Sequence, residues 1–148
     1  MPYQRILVAT DGSPLSDKAV THAIDLAAAT GAALLVIKVL PCYPQNYFDG
    51  SLTLPASEIE RIEKHWASEG EGIVGKAKQA GEAKGVKTTT ILTRADVVSD
   101  AIIEAARKHD ADLVVMASHG RKGVERLLLG SETQQVLLRA PMPVLVLR

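Results

Sequence analysis

Residues 5–20 read RILVATDGSPLSDKAV, and this stretch decides the fold. RILVAT (5–10) is a short continuous apolar run. That is the pattern of a strand buried on both faces of a parallel sheet; a strand with one wet face would alternate. Asp11-Gly12 ends the run. Ser13 can then accept from the free N–H groups of a helix's first turn, and Pro14 suits the first helical position, where no N–H is needed. Val20, Ala23, Ile24 and Ala27 recur at helical spacing before Gly31 stops the helix. A buried strand that passes so quickly into a helix is half of a βαβ unit.

The rest of the chain repeats that unit. AALLVIKVL (32–40) is a second buried strand, and residues 41–56 form a loop by composition, with three prolines and a glycine. A long helix follows, opened by a capping box at Ser57 and Glu60, with Ile59, Ile62, Trp66, Ile73, Ala77 and Ala80 on its apolar face. Gly70, Gly72 and Gly75 weaken its middle, where a bend or fraying is expected. KTTTIL (87–92) is the third strand, and Asp96 is expected to cap a helix carrying Val98, Ile102, Ala105 and Ala106. ADLVVMAS (111–118), a short helix over 131–139 and a last strand in PVLVLR (143–148) complete the alternation. It predicts an α/β fold: an open five-stranded parallel sheet, Rossmann-like, with right-handed crossovers and helices on both faces. At 148 residues, without repeat or linker, the chain reads as a single domain.

Apolar residues make up 47% of the sequence but aromatics only 3%, so the core must be aliphatic and rich in alanine. Lys+Arg and Asp+Glu both number 17, and a net charge of zero argues against a nucleic-acid or membrane-surface partner. No apolar run approaches a membrane span, and the N-terminus does not read as a signal peptide. The lone Cys42 cannot form a disulfide within the chain, so a reducing cytoplasm is the expected compartment, with the thiol incidental.

Ligands of open parallel sheets bind beyond the carboxyl ends of the strands, where the strand order reverses. Two strand ends carry polar and glycine signals: Thr10-Asp11-Gly12 after the first strand and Ser118-His119-Gly120 after the fourth. A sheet order of 3-2-1-4-5 would make them neighbours lining one crevice. Gly120 and Gly123 would let backbone N–H groups face an anion. Gly130-Ser131 opens the last helix, whose free N–H groups and dipole favour an anion, and the Ser131 hydroxyl can donate as well. Across 117–126 Arg121, Lys122 and Arg126 outnumber Glu125, which suits a polyphosphate. Ordinary turns and a plain helix cap explain the same residues equally well on local grounds, and neither well-known glycine-rich phosphate loop is present. His22, His65 and His109 show no metal spacing.

Together TDGSPLSDKAV (10–20), ADLVVMASHGRKG (111–123), LLLGS (127–131) and PVLVLR (143–148) resemble the universal stress protein family over nearly the whole chain. The nucleotide-binding branch of that family carries G-x-x-G, nine residues, then G-[ST]. Here Gly120, residues 121–129 and Gly130-Ser131 match in register, with Ala117 in place of the first glycine. The resemblance implies an ATP site with Mg²⁺ on the phosphates. Ala9, Thr10 and Asp11 would lie beside the nucleoside, and Val39 and Met116 against adenine. Ala117, Ser118, His119, Gly120, Arg121, Lys122 and Gly123 would wrap the ribose and phosphates. Gly130, Ser131, Glu132 and Thr133 would hold the phosphate tail. Glu132 is expected to turn outward, leaving only its N–H to the ligand, and His119 to serve the loop rather than catalysis. The resemblance further implies a nucleotide-dependent regulatory module of the stress response, a homodimer joined through the last strand. Two alternatives remain: a slow ATPase, and a protein that has lost the nucleotide and acts through protein contacts alone. Tyr43, Tyr47 and Phe48 in the 41–56 loop suggest a cover over the pocket.

Overall fold

A computed structural model describes residues 3–43, 54–120 and 129–148. Among these residues strands and helices alternate throughout: β1 (Arg5–Ala9), α1 (Pro14–Thr30), β2 (Ala33–Leu40), α2 (Ala56–Ala83), β3 (Thr88–Arg94), α3 (Val98–Lys108), β4 (Leu113–Ala117), α4 (Ser131–Arg139) and β5 (Val144–Leu147). All strand pairs are parallel and the order is β3-β2-β1-β4-β5, the α/β sheet expected from the sequence. Ile6 aligns with Leu113 and Val8 with Val115, so β1 and β4 end side by side at the reversal of strand order.

The alternation of side chains along each strand divides the core in two. Ile6, Val8, Leu34, Val36, Leu113 and Val115 face the layer of α1 and α2, packing on Ala19, Ala23, Val74 and Ala77. Leu7, Leu35, Ile37, Val114 and Met116 face α3 and α4, packing on Ile102, Ala106 and Val136. Each wholly buried aliphatic side chain contributes about 1.5–3 kcal/mol, and alanines on the helices let them approach the sheet closely.

The entry to α1 is as its sequence dictates. Ser13 Oγ accepts from Ser16 N at 3.3 Å, Pro14 stands at the first helical position, and Gly31 takes φ 75° to close the C-terminus on Ala27 O. α2 departs from expectation in three ways. It starts at Ala56 behind Pro55, with no side-chain cap, so Ser57 lies within the first turn and the capping box does not form. Despite Gly70, Gly72 and Gly75 in its middle it runs unbroken, because tertiary packing outweighs propensity. Its buried stripe is Gly70, Val74, Ala77 and Gly81, whereas Ala80 is exposed. A β-carbon on Gly70 would lie 2.8 Å from both Leu40 and Leu92, so this glycine sets how closely α2 lies on the sheet. Trp66 stacks on Tyr43 with ring centroids 6.5 Å apart. Tyr47 and Phe48 of the expected cover lie outside the described residues.

α3 begins at Val98, and Val97 rather than Asp96 holds the cap position, again without a side-chain cap of its own. Its cap comes from α4, as described below.

Candidate functional site

A cavity of about 520 Å³ opens beyond the carboxyl ends of β1, β2 and β4, between the first turns of α1, α3 and α4. One wall is the turn after β1. Gly12 takes φ 80°, a left-handed conformation that glycine adopts without strain. Asp11 Oδ1 accepts from Ser13 N and from Ser16 Oγ, both at 2.9 Å, while Thr10 Oγ1 accepts from Gly12 N at 3.2 Å and lies 3.1 Å from Ser16 Oγ. The Asp11 carboxylate therefore both braces the turn and lines the cavity.

The opposite wall is the join between β4 and α4. Ser118 N donates to Leu147 O at 2.7 Å, and Ser118 O accepts from Gly130 N at 2.7 Å. Thr133, 2% exposed, donates from Oγ1 to Ala117 O at 2.9 Å. The Gly130 N–H is thus committed to the protein. Its φ of −61° is open to any residue, but a β-carbon there would meet Ser118 O and His119 Cα at 3.3 Å. At Gly120 a β-carbon would lie 2.7 Å from Asp11 Oδ2, so this glycine lets the two strand ends approach each other. His119 Nδ1 lies 3.3 Å from Gly120 O.

Glu132 does not turn outward. Its Oε2 accepts from Ser99 N at 2.6 Å, placing the carboxylate at the amino end of α3 and on the cavity wall. The reason is electrostatic: α3 has no cap of its own, and its first-turn N–H groups attract the nearest carboxylate. Arg139, in the last turn of α4, reinforces the pairing with bonds to Asp100 Oδ1 at 2.6 Å and Ser99 Oγ at 3.1 Å.

Of the residues assigned from sequence, Ala9, Thr10, Asp11, Val39, Met116, Ala117, His119, Gly120, Gly130, Ser131, Glu132 and Thr133 line this one cavity. Ser118 is buried behind it and contributes through its backbone. Arg121, Lys122 and Gly123 lie outside the described residues. Ser16, Ile37, Lys38, Val98 and Ile102 also line the cavity and were not foreseen as site residues. Ile37 stands two positions before Val39 on the same strand face, a signal that could have found it. Val98 and Ile102, one helical turn apart, read only as core.

A smaller hollow of about 380 Å³ between β3 and α3 holds none of the motif residues. Near it, desolvation and then the neighbouring Asp96 carboxylate raise the Cys42 thiol above its ordinary value, which disfavours the thiolate. Among the described residues no three His, Cys, Asp or Glu side chains gather as a metal site, and no helix is long and apolar enough to cross a membrane.

Known proteins agree with this architecture. The profile of the Universal stress protein family matches residues 2–148. Universal stress protein MJ0531 of Methanocaldococcus jannaschii is 38% identical over 147 residues, covering 99% of this chain and 82% of its own. The solved structure of universal stress protein UspA from Lactobacillus plantarum superposes with a TM-score of 0.86 at 23% identity, covering 100% of this chain and 99% of that one. The crystal structure of a universal stress protein in complex with cAMP superposes with a TM-score of 0.73 at 28% identity, covering 100% and 99%. By the match of that profile over nearly its whole length and by its identity to the Methanocaldococcus jannaschii relative, the chain belongs to the universal stress protein family.

Proposed function

We propose that this protein binds an adenine nucleotide, ATP in particular, in the cavity between the ends of β1 and β4, and acts as a nucleotide-dependent regulatory module. The observation that carries the proposal is the division of the cavity's lining. Ile37, Val39, Val98, Ile102 and Met116 give one part an apolar lining suited to a base. Ser131, Glu132 and Thr133 form the first turn of α4, whose N–H groups have no acceptor within the helix and favour phosphate. A chain of the same fold is known in complex with cAMP, which supports an adenine nucleotide as the ligand class. Ala9, Thr10 and Asp11 would border the nucleoside. Mg²⁺, when bound with ATP, would offset part of the phosphate charge. The proposed setting is the cytoplasm, and the proposed assembly is a homodimer through β5.

Calorimetric titration with ATP, AMP and cAMP tests the proposal, with nucleotide extraction from the freshly purified protein beside it. Saturable binding of at least one adenine nucleotide, with no binding of the pyrimidine CMP, is the expected result. Absence of any adenine-nucleotide binding would leave the reading that acts through protein contacts alone.

A further inference from the structure

We infer that Glu132 makes this cavity discriminate among nucleotides by phosphate charge, so that a triphosphate enters best as its divalent-cation complex while a monophosphate is indifferent to the cation. The inference rests on the nucleotide site proposed above and deepens it.

Besides that of α1, which Ser13 caps, two helix amino ends meet at the cavity, those of α3 and α4. Free N–H groups in a helix's first turn are where an anion docks. At α3 that place is already taken, since Glu132 Oε2 holds Ser99 N at 2.6 Å. At α4 the Gly130 N–H is committed to Ser118 O at 2.7 Å, which leaves the N–H groups of the next three residues. The phosphate tail of a triphosphate, docked on them, shares a helical turn with a fixed carboxylate, whereas the single phosphate of AMP stays nearer the ribose. The fixed Glu132 charge therefore opposes each phosphate charge that reaches this turn, and a cation on the phosphates relieves that repulsion. Unit charges a few ångströms apart at a part-exposed site alter affinity by roughly tenfold.

A purely structural Glu132, serving only to cap α3, predicts something different. Glu132→Gln separates the two, because the amide oxygen can still accept from Ser99 N–H while the charge is gone. Arg139, bound to Ser99 Oγ and Asp100, keeps α4 tied to α3 in that variant.

The experiment is calorimetric titration of the wild type and Glu132→Gln with AMP and with ATP, in EDTA and in excess Mg²⁺. In EDTA the variant should bind ATP about tenfold more tightly than the wild type, with AMP affinity changed less than about threefold. Added Mg²⁺ should tighten wild-type ATP binding by about tenfold and the variant's much less. Glu132→Ala, which loses cap and charge together, should show the same shift in the ATP-to-AMP ratio with a lower melting temperature. AMP binding with an unchanged ATP-to-AMP ratio in Glu132→Gln would overturn the inference and leave the site standing. Failure of both nucleotides to bind either protein would overturn the site, and the inference with it.

Discussion

A β-carbon at Gly120 would press on the tip of a carboxylate, 2.7 Å from Asp11 Oδ2, whereas one at Gly130 would press on backbone at Ser118 and His119. A side-chain tip can move; a main chain joined to β5 and α4 moves only by disturbing both. Gly120→Ala is accordingly expected to weaken adenine-nucleotide binding by roughly tenfold, with stability changed by less than about 1 kcal/mol. Gly130→Val should lose binding and also about 1–3 kcal/mol of stability, as overpacking typically costs. Calorimetry paired with urea denaturation of both variants checks the contrast, and equal stability losses would contradict it. The spacing of these glycines was legible in the sequence, but the physical reason for Gly130 was not. Its N–H serves Ser118 O rather than an anion. Glu132 was misjudged for a related reason: its partner Ser99 lies 33 positions away, beyond the reach of any local pattern.

The elements were legible in proportion to how local their determinants are. α1 has its Ser-Pro entry and its glycine exit within the chain that forms it, and both are found in place. α4 likewise spans Ser131–Arg139, the 131–139 of the sequence pattern. α2 misled because two of its glycines, Gly70 and Gly81, answer to neighbours in β2 and β3. Gly81 packs against Thr88, whose hydroxyl donates to Val86 O at 3.0 Å, while Gly72 has nothing within 4 Å. Gly72→Ala should therefore stabilise the protein by about 0.8–1 kcal/mol through helix propensity alone. Gly81→Ala should destabilise it by about 1–3 kcal/mol, because Thr88 is both stiff and bonded. Chemical denaturation of the two variants reads the opposite signs directly, and stabilisation by both would remove the packing account of α2.

For the whole molecule, the sheet leaves β5 paired on one side only, with all four of its residues half-buried. An apolar edge of that kind templates pairing with another chain, and two copies can pair antiparallel about a two-fold axis. Sedimentation should show a dimer at micromolar concentration, and Val146→Pro, which removes an edge N–H, should shift it to monomer. A wild-type protein that sediments as a monomer would remove this assembly. Hydrolysis is expected to be absent or to run well below the ~1–100 s⁻¹ typical of phosphoryl-transfer enzymes. A turnover in that range, abolished by His119→Ala, would replace the binding-module account with an enzymatic one.

Ser118 meets its neighbours through its backbone, donating its N–H to Leu147 O and accepting from the Gly130 N–H. The join between the last strand and the last helix is therefore written in the backbone of one residue and not in a side chain. Any small residue at that position could make the same two bonds, so relatives could exchange one for another while the join persists. A catalogue of residue identities would overlook it. An ester in place of the amide between Ala117 and Ser118, which deletes one N–H and keeps every side chain, is the kind of change that would expose it.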